Sequence, residues 1–319
     1  MAVGVDVGGT NLRAAVVDHS GQILSALRTV SPIADPSSGQ QSLIQAIQTV
    51  TTQDVFRLEE LKGVGLGIPG WMDRISGTLT FAPKMAHWQG VFELNAIRNE
   101  LGVPVFVDSD PNVATLGELW QGAGRGSQDL IMVTLGTGLG CGIVIDGKLY
   151  VGHHGMAGEF GHIVIGEMAD YLCDCGTIGC LETQAAGPAI ARQGQQAMAK
   201  PQETIIRNLT RNRAQDITTA TVFAAAEQGD PVASEIVRRA GEMLGFGFAT
   251  LVSLLEPEKI IVGGGMADVG ELILQPIRHA MAERCYLISK GYISVDIVPA
   301  ELGDNAGMIG AASMALKLE

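Results

Sequence analysis

A strand, a glycine–threonine turn and a second strand occur twice in this chain, and that repeated opening restricts the folds available to it. In the first copy Val3, Val5 and Val7 alternate ahead of Gly8-Gly9-Thr10, and Leu12 to Val17 runs apolar again. In the second, Asp129 to Thr134 leads into Gly136-Thr137-Gly138, and Cys141 to Ile145 follows, closed by Asp146-Gly147. Between and after them lie helical patterns. Gln41 to Val55 carries Leu43, Ile44, Ile47 and Val50 on one face, Phe92 to Leu101 is amphipathic, and Pro188 to Leu255 is largely helical. Leu61 to Ile68, Val103 to Val107 and Lys259 to Val262 read as further strands, and Asp304 to Leu318 as a closing helix. Strands alternating with helices predict α/β layers. The chain's 319 residues suffice for two domains at about 150 residues each. The paired openings suggest related halves without a long internal repeat, and no Pro- or Ser-rich linker separates them, so a shared hinge is expected.

Composition excludes several classes. Glycine, at 42 residues, is about twice its usual share of roughly 7% and has no collagen period. A net charge of −13 repels phosphate backbones, so no nucleic-acid partner is expected. No basic segment precedes an apolar N-terminal core. The uncharged stretch from Leu130 to Ile145 is broken by Gly136, Gly138, Gly140 and Gly142 and is shorter than the roughly 20 residues a membrane helix needs. The cysteines are Cys141, Cys173, Cys175, Cys180 and Cys285, an odd count unlike a secreted disulfide framework. A reduced, cytoplasmic setting follows, with Cys141 and Cys285 as small core residues.

The turns carry a phosphate signal. In Asp6-Val7-Gly8-Gly9-Thr10-Asn11 and in Thr134-Leu135-Gly136-Thr137-Gly138, glycine lets backbone approach a ligand, and successive N–H groups plus a Thr hydroxyl suit anionic oxygens. Asp6, ending a buried strand, needs a partner, and a metal held through water is a natural one. Either turn alone is also what an ordinary hairpin contains. Neither matches the P-loop or the dinucleotide fingerprint. A third cluster, Gly263-Gly264-Gly265, can let a nucleoside lie flat on the backbone, or can simply turn a strand into a helix.

Val107-Asp108-Ser109-Asp110-Pro111-Asn112 ends a strand in an acidic turn, ahead of a helix from Val113 to Leu119. A carboxylate there can accept the proton of a hydroxyl that attacks a phosphoryl group, although Ser-Asp and Asp-Pro are also common turn and cap residues. The metal signal is sharper. Cys173, Cys175 and Cys180 sit in one glycine-containing loop, and His162 lies eleven residues before it. Three Cys and one His form a closed tetrahedral set for structural Zn2+. The C-x-C spacing is not the C-x-x-C of a redox site. Such a tether would bring Glu159, three residues before His162, to Glu182, two residues after Cys180, and paired carboxylates beside a His suit sugar hydroxyls.

The order of a phosphate turn, an acidic turn, a second phosphate turn and a late Gly cluster resembles the actin–hexokinase–Hsp70 type of ATPase. More closely, the chain resembles the ROK family of sugar kinases and repressors, and within it the bacterial glucokinases. The matching text is Asp6 to Asn11, Gly67-Ile68-Pro69-Gly70, Asp110 with Asn112, Leu135 to Gly140, Gly158-Glu159-Phe160-Gly161-His162, and the C-x-C-G-x-x-G-C-x-E run from Cys173 to Glu182. The resemblance implies two α/β lobes with a ribonuclease H-like motif in each and a cleft between them, the smaller from 1–112 with 303–319 and the larger from 113–302 with the zinc-binding insertion. It implies ATP and Mg2+ bound through Asp6, Gly8, Gly9, Thr10, Asn11, Gly136, Thr137, Gly138, Gly264 and Gly265. It implies a hexose bound through Gly70, Ser109, Asp110, Glu159, His162 and Glu182, with Asp110 as general base toward the 6-hydroxyl. It implies Zn2+ held by His162, Cys173, Cys175 and Cys180, and a homodimer or homotetramer, as family members usually are. Two positions depart from the family pattern: Ser109 stands where Asn is common, and Pro83-Lys84-Met85 precedes Trp88 where Pro-Asn-Leu is common. Both Asn positions serve sugar recognition, so glucose is the leading acceptor with mannose, fructose or an N-acetylated hexosamine as alternatives, and polyphosphate as an alternative donor. A sugar-sensing regulator is the non-enzyme alternative. Such repressors carry an N-terminal helix-turn-helix, and the first phosphate turn here begins by residue 6, so none is expected.

Overall fold

Both strand–turn–strand openings are present, each joined to a strand from later in the chain. The computed structural model describes residues 1–31, 36–52, 60–73, 78–82, 85, 88, 92–165 and 171–316. Lys84 and the ends of two expected segments, 53–55 and 317–318, lie outside these residues. The elements in order are β1 (Ala2–Val7), β2 (Asn11–Val17), β3 (Ile23–Val30), α1 (Pro36–Thr52), β4 (Val64–Ile68), β5 (Trp71–Met72), β6 (Leu79–Phe81), α2 (Leu94–Leu101), β7 (Val105–Ser109) and α3 (Asp110–Gln121). There follow β8 (Leu130–Leu135), β9 (Leu139–Ile145), β10 (Lys148–Leu149), α4 (Glu182–Ala185), α5 (Gly187–Met198), α6 (Ile205–Leu209), α7 (Thr219–Glu227), α8 (Pro231–Leu255), β11 (Lys259–Gly263), α9 (Glu271–Arg284), α10 (Tyr286–Ser289), β12 (Asp296–Pro299) and α11 (Ala306–Leu316). Contacts divide the chain into two compact units: Met1–Met132 with Gly142–Gly158 and Ala300–Glu319, and Val133–Cys141 with Glu159–Pro299. No described helix is long and apolar enough to cross a membrane.

In the first unit the sheet order is β3-β2-β1-β4-β7. The three N-terminal strands are antiparallel, and β1, β4 and β7 are parallel. The register aligns Arg13, Asp6, Gly67 and Asp108 in one row across four strands. The carboxyl ends of the three parallel strands therefore share one edge, and open α/β sheets bind ligands outside that edge. The helical face read from Leu43, Ile44, Ile47 and Val50 is fully buried against this sheet. Ile47→Ala would cost about 2–5 kcal/mol. The sheet's other face takes α11, which runs so close that a Cβ on Gly4 would stand 1.8 Å from the Met308 carbonyl oxygen, and one on Gly65 1.8 Å from that of Ala311. Glycine inside a strand is unfavourable, and here it admits a helix backbone to the sheet.

The second sheet has the order β10-β9-β8-β11-β12, with β9 and β10 antiparallel and β11 and β12 parallel. From Glu182 to Leu255 the chain is largely helical. Asp230 caps α8, accepting the Ala233 N–H at 2.7 Å with Pro231 in the first turn. Gly241 and Gly245 of α8 let Pro276 and Ala280 of α9 approach.

Two local readings change. Strand β3 has a mixed polar pattern with one face half-exposed, and no apolar alternation marks it. The acidic segment at 108–112 is not a turn: the strand runs through Ser109 and the helix begins at Asp110 with Pro111 in its first turn. Proline is pre-organised for that position because it lacks only an N–H the helix could not use.

Candidate functional site

In the first unit, Asp6 ends β1 and Gly8 to Asn11 forms a tight turn, closed by the Gly8 N–H on the Asn11 carbonyl at 2.9 Å. Ser31 donates its N–H to Thr10 O at 3.0 Å, and Arg28 donates to Asn11 Oδ1 at 3.3 Å. Asp6 lies 3.7 Å from Arg13 Nη1, while Arg13 Nη2 makes a 2.7 Å pair with Asp304. Burial raises the Asp6 carboxyl above its usual range; Arg13 opposes the shift and Asp304 adds to it. Gly307, in the first turn of α11, is close enough that a Cβ would stand 2.7 Å from Asp6 Cγ. The C-terminal segment thus shapes the first phosphate turn.

At the end of β4, Gly70 donates its N–H to Ile68 O at 2.9 Å. At the end of β7, Asp108 Oδ1 accepts the Ser109 N–H at 2.8 Å and the Asn112 Nδ2 at 2.7 Å. Asn112 is buried, so this carboxylate staples the strand end to the first turn of α3. Asp110 occupies the helix N-terminus and is half-buried. The expected residues Asp6, Gly8, Gly9, Thr10, Asn11, Gly70, Ser109 and Asp110 therefore all lie at the carboxyl ends of β1, β4 and β7.

In the second unit the donor atoms of His162, Cys173, Cys175 and Cys180 all lie within 4.8 Å of one another. His162 Nδ1 is 3.5 Å from Cys173 Sγ, and Cys175 Sγ is 3.6 Å from Cys180 Sγ. Tetrahedral zinc with ordinary bond lengths separates two thiolates by about 3.8 Å and a thiolate from an imidazole nitrogen by about 3.5 Å. The set fits that ion. Burial, with the neighbouring thiols adding to it, pushes the Cys180 thiol up to about 12, an arrangement that a divalent cation reverses. Because Nδ1 faces the thiols, Nε2 of His162 points away from them, 3.7 Å from Glu159 Oε2. Glu182 Oε2 accepts the Leu139 N–H at 2.8 Å. Gly161 and His162 form a single 3-10 turn with Phe160, whose ring packs on Phe248 with centroids 5.6 Å apart. Glu159, His162 and Glu182 are thereby brought to one module, as the spacing predicted.

The turn at Gly136-Thr137-Gly138 closes through the Gly136 N–H on Gly138 O at 3.0 Å. Gly264 requires glycine, with φ +85° and a Cβ position 2.4 Å from Leu135 O. Gly9 and Gly265 differ: neither has a positive φ, and no described protein atom lies within 4 Å of a Cβ placed there. Protein packing does not account for glycine at either position.

Sequence reasoning missed Arg13, Asp108, Asp304 and the Leu139 N–H. A charge inside the apolar run of β2 marks Arg13; Asp304 and Leu139 carry no local mark. Trp88, expected beside the sugar motifs, is buried in the first unit's core against Gly39. Cys141 and Cys285 are buried core residues as expected.

The ROK family profile matches residues 2–318. A glucokinase of Streptomyces coelicolor is 37% identical over 99% of this chain and 97% of its own length. A glucokinase of Thermotoga maritima is 33% identical over 98% and 96%. The solved structure of a ROK family glucokinase from Streptomyces griseus, in complex with glucose and AMPPNP, superposes with a TM-score of 0.85 at 36% identity, covering 99% of both chains. The α/β architecture is that of the actin-like ATPases, and with a match along nearly its whole length this chain belongs to the ROK family.

Proposed function

We propose that this chain is an ATP-dependent hexose kinase that converts glucose to glucose 6-phosphate. One observation carries the reading: the first phosphate turn and Asp110 share the carboxyl edge of the parallel strands β1, β4 and β7, in a chain 36% identical to an enzyme solved with glucose and a nucleotide analogue. Asp110 accepts the proton of the 6-hydroxyl as its oxygen attacks the γ-phosphorus. The O6–P bond forms, the bond from that phosphorus to the β-phosphate's bridging oxygen breaks, and ADP leaves. Positioning supplies most of the rate in such a transfer. Gly70, Ser109, Asp110, Glu159, His162 through Nε2 and Glu182 are the residues we assign to the sugar.

The N–H groups of Gly8 to Asn11 and of Gly136 to Gly138 receive phosphate oxygens, and Gly264 and Gly265 receive the nucleoside. Asp6 would hold Mg2+, which would supply charge neutralisation on the phosphates. His162, Cys173, Cys175 and Cys180 would hold Zn2+, which would supply rigidity to the sugar-binding module. We infer that the functional lobes follow 1–112 with 303–319, and 113–302. We place the protein in the cytoplasm, in hexose catabolism, as a homodimer or homotetramer. An ADP-release assay across glucose, mannose, fructose and N-acetylglucosamine tests the reading. Glucose should give the highest kcat/KM; absence of turnover on every hexose with ATP would refute it.

A further inference from the structure

Glu182 touches the second phosphate turn directly. Its Oε2 accepts the N–H of Leu139, a residue 43 positions away and the first of β9 after Gly138. The turn's own closure is a single bond, Gly136 N–H to Gly138 O. One shoulder of the turn is therefore fixed by a side chain from the Cys/His module. The opposite shoulder is fixed by the same stretch of chain, through the Gly187 N–H on Gly136 O at 2.9 Å. Gly161 packs at the same place, where a Cβ would stand 2.7 Å from Leu139 O and 3.3 Å from Glu182 Oε2.

The main chain that carries Glu182 is well anchored. Leu181 donates its N–H to Ile163 O at 2.9 Å, Thr183 Oγ1 donates to Cys180 O at 2.7 Å, and the Glu182 carbonyl accepts the Ala186 N–H at 3.1 Å. Glu182 Oε1 makes no hydrogen bond among the described residues. One oxygen is engaged with the turn and the other is available.

We propose that Glu182 is a positioning residue for the nucleotide phosphates: through Leu139 it holds the Gly136–Gly138 turn in the conformation that receives them. The proposal rests on the kinase reading for the identity of the ligand, and it adds to Glu182 a role that does not depend on the sugar. A backbone turn that is already ordered binds with less loss of entropy, so removing the brace should be felt in nucleotide affinity when no sugar is present. A charge-assisted hydrogen bond of ordinary strength corresponds to about tenfold or more in affinity.

The experiment is calorimetric titration of the full chain with Mg2+·AMPPNP in the absence of sugar, alongside zinc content and thermal melting. Glu182→Ala should weaken AMPPNP about tenfold. Glu182→Gln keeps an oxygen that can accept the Leu139 N–H, so its AMPPNP affinity should stay within about threefold of wild type, while glucose binding falls in both variants. A residue that only contacts sugar leaves AMPPNP affinity unchanged in both, and that result overturns the proposal. A merely structural defect lowers the melting temperature and zinc content of the Gln and Ala variants alike and is not rescued by Gln, which also overturns it. If the Ala variant does not fold, Glu182→Asp, one methylene short of Leu139 with its charge intact, takes its place with the same expectation. A wild-type protein that binds AMPPNP but phosphorylates no hexose would refute the kinase reading alone.

Discussion

Gly8-Gly9-Thr10 and Gly136-Thr137-Gly138 each follow a buried strand, but the groups that hold them come from different distances in the chain. The first turn's hydrogen bonds come from Asn11, Arg28 and Ser31, in or directly after the opening strands, with α11 packed beside Asp6 at Gly307. The second is braced by Glu182 and Gly187, and its preceding strand end by Gly264 and Met266. Two turns of one composition thus depend on different parts of the molecule. The first should survive any disturbance of the Cys/His module, and the second should not.

The largest effect expected lies on the side of the first turn. Asp110→Asn should lower kcat by about 10²–10⁴ while leaving hexose affinity largely intact. Near wild-type turnover in this variant would remove Asp110 from the chemistry.

The second prediction separates the turns. Purified protein should contain one Zn2+ per chain, and stripping it, or Cys180→Ser, should loosen the module. Amide exchange should then accelerate at 136–140 and 159–187 and stay unchanged at 8–11. Hexose affinity should fall by about tenfold or more, as expected when charge-assisted bonds from Glu159 and Glu182 lose their geometry, and nucleotide affinity by less. Zinc-free protein with all thiols titratable would defeat this, and equal acceleration at both turns would erase the contrast between them.

Adjacent glycines sharpen it further. Gly264→Ala forces a positive φ and a backbone clash, so it should cost about 1–3 kcal/mol of stability. Gly265→Ala and Gly9→Ala meet neither, so they should stay within about 0.5 kcal/mol of wild type in urea melts and still weaken nucleotide binding. Unaltered nucleotide affinity in both would mean these glycines do not face the ligand.

The smallest effect concerns pH. Burial raises the Asp6 carboxyl, Asp304 raises it further, and Arg13 lowers it. On the proposed role of ionised Asp6 in Mg2+·nucleotide binding, activity should fall as pH drops through the raised value. Arg13→Ala should move this acid limb to higher pH and Asp304→Asn to lower pH. Profiles of kcat/KM for ATP that coincide in all three proteins would show that Asp6 does not set the limb.

Legibility in the sequence followed range. The core face of α1 is readable because helical period is a property of neighbours, and Leu43, Ile44, Ile47 and Val50 are buried as the period requires. Strand β3 escapes because its residues alternate weakly at a sheet edge. The helix start at Asp110 escapes because Ser-Asp-Pro suits a turn and a helix N-terminus equally, and the pairing of Ile68 with Ser109 decides between them by extending the strand.

The sequence by itself determined the two Gly-Thr turns, the clustering of His162 with Cys173, Cys175 and Cys180, and the placing of Glu159 and Glu182 on either side of that cluster in the chain, since each depends on residues near one another in sequence or on donor chemistry that tolerates few arrangements. Only the tertiary structure decided that Arg13 is shared between Asp6 and Asp304, that α11 lies on Gly4 and Gly65, and that Glu182 reaches Leu139. Those pairings join residues that carry no mark of one another in the chain. They form because a buried carboxylate or N–H must find a partner wherever packing brings one within reach.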